Sequence, residues 1–242
     1  MNVHALSQYR TIDRLAARIA LHRHSTNPRP WHDWVRDHLP LRAGQRVLEV
    51  GAGTGALWPQ PVDGVVPTDF SPAMCTTLRD KGFGPIRCSA DALPFTAGVF
   101  DGAVACHMLY HVDEPADALA ELRRVLRPRG WFVATTNGAG HMAELWDVAR
   151  TVGLPMAFPE AANLSFNAEN AVALLGRHFD GVEVIRYEDE IRAPGVEPVV
   201  AYLASCLDRD ATDEELAALH DEVARRRDFR VGKHSVLLTA QG

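Results

Sequence analysis

The chain has 242 residues, 47% of them hydrophobic and 23% charged, which is ordinary for one globular domain with a sizeable core. Its 25 basic residues face 31 acidic ones for a net charge of −6, an excess of the wrong sign for an extended phosphate-binding surface. No apolar run approaches the ~18 residues of a membrane helix, and neither repeats nor low-complexity tracts occur.

The amino terminus, Met1 to Ser7, lacks a basic stretch followed by an apolar core, so a cytoplasmic location is expected. Tyr9 to His22 carries Ile12, Leu15, Ala16 and Ile19 at helical spacing. Ser25-Thr26-Asn27-Pro28 follows, and then a helix from Trp31 to Leu39. Val47-Leu48-Glu49-Val50 reads as a first strand that runs without a spacer into Gly51-Ala52-Gly53-Thr54-Gly55. Glycine accepts positive φ and lets the main chain approach a ligand, so a cofactor site is expected at the carboxyl end of this strand. Gly51-x-Gly53-x-x-Ala56 also fits the dinucleotide fingerprint, and the glycines alone leave both readings open. A second strand, Val62 to Thr68, ends in Asp69-Phe70-Ser71-Pro72. The Asp69 carboxylate can accept from two ribose hydroxyls and Phe70 can cover an adenine face, although dehydrogenases place an acid similarly. Ile86-Arg87-Cys88 leads into Ser89-Ala90-Asp91-Ala92-Leu93-Pro94-Phe95, which brings a second carboxylate, Asp91, within reach of an adenine amino group.

Gly98 to Cys106 reads as a fourth strand and Asp113 to Leu126 as a helix, stopped by Arg127-Pro128-Arg129-Gly130 before a fifth strand, Trp131 to Thr136. A helix is expected over His141 to Val152, an apolar loop to Phe166, a helix over Asn167 to Phe179 and a sixth strand over Val182 to Tyr187. Residues 188–232 read as an insertion with helices at about Glu197 to Cys206 and Thr212 to Arg227, and Ser235 to Ala240 as the last strand. Asp208, Asp210, Asp213, Glu214 and Glu215 suit a solvated loop and helix start. Cys75, Cys88, Cys106 and Cys206 form no C-x-x-C pair, so neither a metal cluster nor a disulfide framework is expected.

From residue 45 to residue 137 these motifs, in this order, resemble the small-molecule branch of the class I S-adenosylmethionine-dependent methyltransferases, of bacterial type. One departure is Pro128-Arg129-Gly130 where the family usually has Pro-Gly-Gly. The resemblance implies a Rossmann-like, doubly wound α/β fold with seven strands, mostly parallel and with the last antiparallel. It also implies a single domain: a helical lid over 1–40, a core over 41–187 and 233–242, and a helical cap over 188–232. S-adenosylmethionine is the implied cofactor, with Asp69 on the ribose, Asp91 at the adenine amino group, the backbone of Gly51, Ala52 and Gly53 with Cys106 near the methionine part, and Glu49 and Ala92 also in the cofactor-binding set. Phe70, His111, Tyr9 and Asn27 complete the implied cofactor set, and Trp31 resembles a lid residue of bacterial relatives.

Methyl transfer is an in-line displacement that chiefly needs the partners held close and aligned. Where the nucleophile is a hydroxyl, a base helps, and His111, His107 and Tyr110 follow strand four where the methyl should lie. His111 is the first choice, while His141 and Asn137 are more distant candidates. Apolar lid segments rich in Trp, Phe and Met favour a small organic acceptor, O- or C-methylated in bacterial secondary metabolism. A nucleic-acid methyltransferase would be expected to carry an Asn-Pro-Pro-Tyr type of segment where Cys106-His107-Met108-Leu109 stands. A nicotinamide oxidoreductase and a non-catalytic nucleotide-binding partner are the other readings carried forward.

Overall fold

A computed structural model describes residues 12–157 and 160–242. Five segments form the parallel part of the sheet: β1 (Val47–Val50), β2 (Val65–Asp69), β3 (Ile86–Arg87), β4 (Phe100–Cys106) and β5 (Leu126–Asn137). Two long strands, β6 (Asp180–Ile191) and β7 (Val231–Gln241), complete it in the order β3-β2-β1-β4-β5-β7-β6, with β7 antiparallel to both neighbours. This is the expected seven-stranded, doubly wound arrangement. The order reverses between β1 and β4, which opens a crevice at the carboxyl ends of those strands.

Helices cover both faces. α1 (Ile12–His22), α2 (Trp31–Asp37), α3 (Pro72–Asp80), α4 (Pro115–Val125), α5 (Ala143–Thr151), α6 (Ala171–Leu175), α7 (Glu197–Ser205) and α8 (Asp213–Arg225) follow in chain order. α4 and α6 bury Leu119, Leu122, Ala171 and Leu175 against Leu48, Ala105, Phe132 and Leu238 on one face. On the other, α2 and α3 bring Val35 and Leu78 to Val47, Val104, Val133 and Leu237. A third cluster, with Leu21, Leu145, Val148, Val199, Leu203, Leu219 and Val223, joins α1, α5, α7 and α8 at the end of β6 and β7.

The boundaries differ from the sequence expectation in several places, among them β5, which begins at Leu126 and takes in the expected stop at 127–130, and β2, which begins at Val65. β6 and β7 pair as far as Ile191 with Val231, four residues past the last β5 partner, Asn137 with Ser235. The helical cap therefore spans 192–230 rather than 188–232, carried on a two-stranded extension beyond the carboxyl edge of the sheet. The expected helix over 167–179 shortens to Ala171–Leu175, because Asn167 spends its side chain on turn hydrogen bonds to Glu169, Asn170, Ala162 and Leu164. The segment 24–27 runs along the free edge of β6, with Thr26 N–H donating to Glu190 O and Arg192 N–H to His24 O. It ties the amino-terminal helices to the cap.

Candidate functional site

The glycine turn after β1 stands at the crevice. Gly51 and Gly53 have φ of +68° and +56°, in the left-handed region. A Cβ at Gly51 would also lie 2.7 Å from Met108 Cβ, whereas one at Gly53 would meet nothing within 4 Å. Thus Gly51 is needed for packing as well as conformation, and Gly53 leaves bare backbone facing the crevice. Gly53 N–H donates to Asp69 Oδ2 and Ser71 N–H to Oδ1, both at 2.8 Å. Each carboxylate oxygen keeps a second acceptor site for an incoming hydroxyl. Burial pushes the Asp69 carboxyl up, against the pull of the backbone donors of Ser71, Gly53 and Phe70. Ser71 caps α3, whose first residue is Pro72, so the acid sits on a fixed strand-to-helix turn.

A cavity of about 300 Å³ lies over this turn. Glu49, Gly51, Ala52, Gly53, Asp69, Phe70, Cys106, His107, Tyr110 and His111, all singled out from sequence, line it together. Arg87 holds Phe70 as one wall: its Nε donates to Phe70 O at 3.0 Å and its guanidinium lies 5.8 Å from the ring centroid. Ser89 and Ala90 reach the cavity, but Asp91 and Ala92 just beyond them are exposed and outside the lining. Asn27 is also elsewhere. Its side chain donates to Glu188 O and accepts from Arg29 N–H, both at 2.8 Å, because segment 24–27 is spent on the β6 edge. Tyr9 lies outside the described residues. Trp31 stands behind the lining, its ring 5.1 Å from that of His107 and edge-on to Tyr187 at 5.0 Å.

His32 and Met108 line the cavity and were not singled out from sequence. His32 is one residue from Trp31 on α2, a short helix whose apolar pattern alone marks Trp31, Trp34 and Val35 as inward. The other positioned histidines, His107 and His111, follow directly on β4; Leu109–His111 form a 3-10 turn that carries Tyr110 and His111 to the rim.

Electrostatically the cavity divides in two. On its floor Glu49 Oε2 accepts from Trp58 Nε1 at 2.9 Å, and burial, reinforced by Asp69, raises its pKa to about 8 despite that bond. Burial pushes the neighbouring Cys106 thiol up to about 12, which leaves it inert. At the far end burial lowers His111 to about 4 and His107 to about 3, the latter helped by His32, His22, Lys233 and His111; His32 is lowered as well. All three imidazoles are neutral at neutral pH. Among the described residues no group of His, Cys, Asp and Glu could hold a metal ion, and no helix is long and apolar enough to cross a membrane.

Residues 48–134 match the family model described as methyltransferase domain. The chain is similar to a demethylmenaquinone methyltransferase of Renibacterium salmoninarum, 39% identical over 110 residues that cover 43% of this chain and 46% of the relative. A second demethylmenaquinone methyltransferase, of Paenarthrobacter aurescens, is 33% identical over 60% of each chain. The chain thus spans about half the length of the curated relatives it matches. Among solved structures, a methyltransferase of Thermotoga maritima titled a possible histamine N-methyltransferase shares the fold, with a TM-score of 0.64 over 98% of both chains at 17% identity. Residues 48–134, which run through the crevice at the β1–β4 reversal, are thus similar to a methyltransferase domain, and the sheet is one that a solved S-adenosylmethionine-dependent methyltransferase shares.

Proposed function

We propose that the protein methylates a small organic acceptor, at carbon, with S-adenosylmethionine bound in the cavity between the glycine turn and β4. The observation that carries this reading is the Asp69 carboxylate, held by two backbone N–H groups over the turn with an acceptor site left on each oxygen. In it Asp69 takes the ribose hydroxyls, Phe70 covers the base, and the backbone of Gly51 to Gly53 with Glu49 receives the methionine part. Asp91 and Ala92, on the rim, close on the adenine from outside. When bound, the sulfonium supplies an electrophilic methyl group beside His107, Tyr110 and His111.

Carbon is favoured over a hydroxyl oxygen on two grounds. The curated relatives are named for demethylmenaquinone and quinone methylation. In addition, His111, lowered to about 4, is a weak base for an unactivated hydroxyl, so an acceptor that is itself acidic suits the site. Such an acceptor belongs to quinone-type or bacterial secondary metabolism. Of the amino-terminal helices, α2 supplies His32 to the cavity wall, while α7 and α8 pack against α1 and α5.

The test is calorimetric titration with S-adenosylhomocysteine and with NADH. Micromolar binding of the first and none of the second is expected. The reverse supports an oxidoreductase and overturns the proposal, while binding without label transfer from methyl-labelled cofactor to any of a panel of phenols and quinols supports a non-catalytic partner.

A further inference from the structure

His107 is held more tightly than a wall residue needs. Its φ of +48° lies in the left-handed region, a conformation that costs a non-glycine residue roughly 1–2 kcal/mol. Its N–H is pinned by Thr135, with the carbonyl O and Oγ1 both at 3.1 Å. The ring is flanked by Trp31, with centroids 5.1 Å apart, and Tyr110, at 6.3 Å. Strained backbone kept by this much scaffolding points to a side chain whose direction matters.

The ring nitrogens are not equivalent. Nδ1 is, among the described residues, the buried side-chain nitrogen or oxygen without a hydrogen-bond partner. Nε2 is not among the buried atoms that lack a partner, and the ring borders the cavity. A neutral imidazole carries one proton. Placed on Nδ1 it would be a buried donor with no acceptor, which costs about 1–3 kcal/mol; an underused lone pair is tolerated better. The lower-energy place for the proton is therefore Nε2. That end of the cavity is otherwise lined by His32, Met108, Tyr110 and His111, with no carboxylate to attract an amine, since Glu49 and Asp69 lie at the glycine turn.

We propose that His107 is a specificity-determining hydrogen-bond donor, fixed as the Nε2–H tautomer, that holds an oxygen of the methyl acceptor, and that the acceptor is an oxygen-bearing aromatic ring with Trp31 and Tyr110 around it. The inference rests on the methyltransferase reading for the word acceptor, but the tautomer does not depend on it. An oxygen held there orients the ring and sets which carbon meets the methyl group. The burial that keeps His107 from protonating keeps it a donor of one proton rather than a cation, so it selects oxygen without demanding a formal anion.

Nitrogen-15 imidazole spectra of the ligand-free protein test the tautomer directly. A pyridine-type Nδ1 and pyrrole-type Nε2 on His107 are expected; a pyrrole-type Nδ1 overturns the proposal whatever the cofactor. Binding of 1-naphthol and of naphthalene to the complex with S-adenosylhomocysteine tests the recognition. The wild type should prefer 1-naphthol by roughly tenfold, the worth of one net hydrogen bond. His107→Gln, which keeps an N–H near the Nε2 position, should retain the preference, and His107→Leu and His107→Asn should lose it, each variant being compared as its S-adenosylhomocysteine complex. No preference in the wild type, or the same preference in His107→Leu, contradicts the assignment. Failure of the wild type to bind S-adenosylhomocysteine contradicts the methyltransferase reading instead and leaves the tautomer result standing.

Discussion

With the cofactor placed as proposed, Glu49 is expected to make its binding a proton-releasing event. Its carboxyl is buried on the cavity floor, hydrogen-bonded to Trp58, with a pKa raised to about 8. At pH 7 such a group is about 0.9 protonated, and at pH 8 about half. The ammonium of the methionine part, bound beside it, favours the ionised form and drives the pKa down. Binding of S-adenosylhomocysteine should then release close to 0.9 proton at pH 7 and about 0.5 at pH 8, and affinity should rise up to tenfold per pH unit below 7 before levelling near 8. The sign follows from the raised pKa: the free protein holds the proton that the complex gives up, so higher pH favours the complex until the free carboxyl is already ionised. Titration calorimetry in buffers of differing ionisation enthalpy reads the proton count, and Glu49→Gln should bring it to zero. Wild-type binding without proton release, or equal release from Glu49→Gln, refutes the placement of the ammonium over Glu49.

Other outcomes follow from the same geometry. Asp69→Ala removes two charge-assisted bonds worth roughly 1.5–3 kcal/mol each, so S-adenosylhomocysteine affinity should fall at least tenfold while the far-ultraviolet circular dichroism is kept; unchanged affinity contradicts the ribose assignment. His22 and His111 are lowered to about 4 and His107 to about 3, so the unfolded chain binds protons below pH 6.5 that the native one refuses. Thermal stability should therefore fall steeply from pH 6.5 toward 4, and a melting temperature flat across that range contradicts the buried, neutral imidazoles. Lys233 and Asp189 form a buried pair at 2.5 Å, and Asp189 also accepts from Ser25 Oγ and from Thr26 and Asn27 N–H. Lys233→Met should destabilise by about 3–5 kcal/mol in denaturant unfolding, because a buried carboxylate loses its counter-charge; a change under 1 kcal/mol contradicts its role as the clip that holds the amino-terminal segment to β6.

What could be read from sequence follows the locality of each signal. β1 and β4 are short apolar runs that end at a glycine turn or at the cavity, so strand, ligand-facing end and motif order lie in one stretch of chain. Glu188, Asp189 and Glu190 fall in the expected insertion, and Lys233 and His234 before the expected start of the last strand, yet all five are strand. Asp189 and Lys233 hide their charges in each other, and the pairing spans 44 residues. Asn27 before Pro28 carries an ordinary helix-start signal, and only the remote β6 edge shows that its side chain is committed there. His32 was overlooked because a seven-residue helix with two tryptophans gives too little periodicity to mark which polar residue faces inward. His107 and His111 were found by position, but the enclosure of His107 Nδ1 is not legible locally, because α2 brings Trp31 against its ring from far along the chain.

The account stands most directly on where an adenosine cofactor lies. A crystal structure with S-adenosylhomocysteine is expected to show the ribose hydroxyls on Asp69, the methionine part over Gly51 to Gly53 beside Glu49, and the sulfur turned toward His107. A nucleotide pyrophosphate seated on that turn, or an Asp69 carboxylate that makes no contact with a sugar, would contradict it.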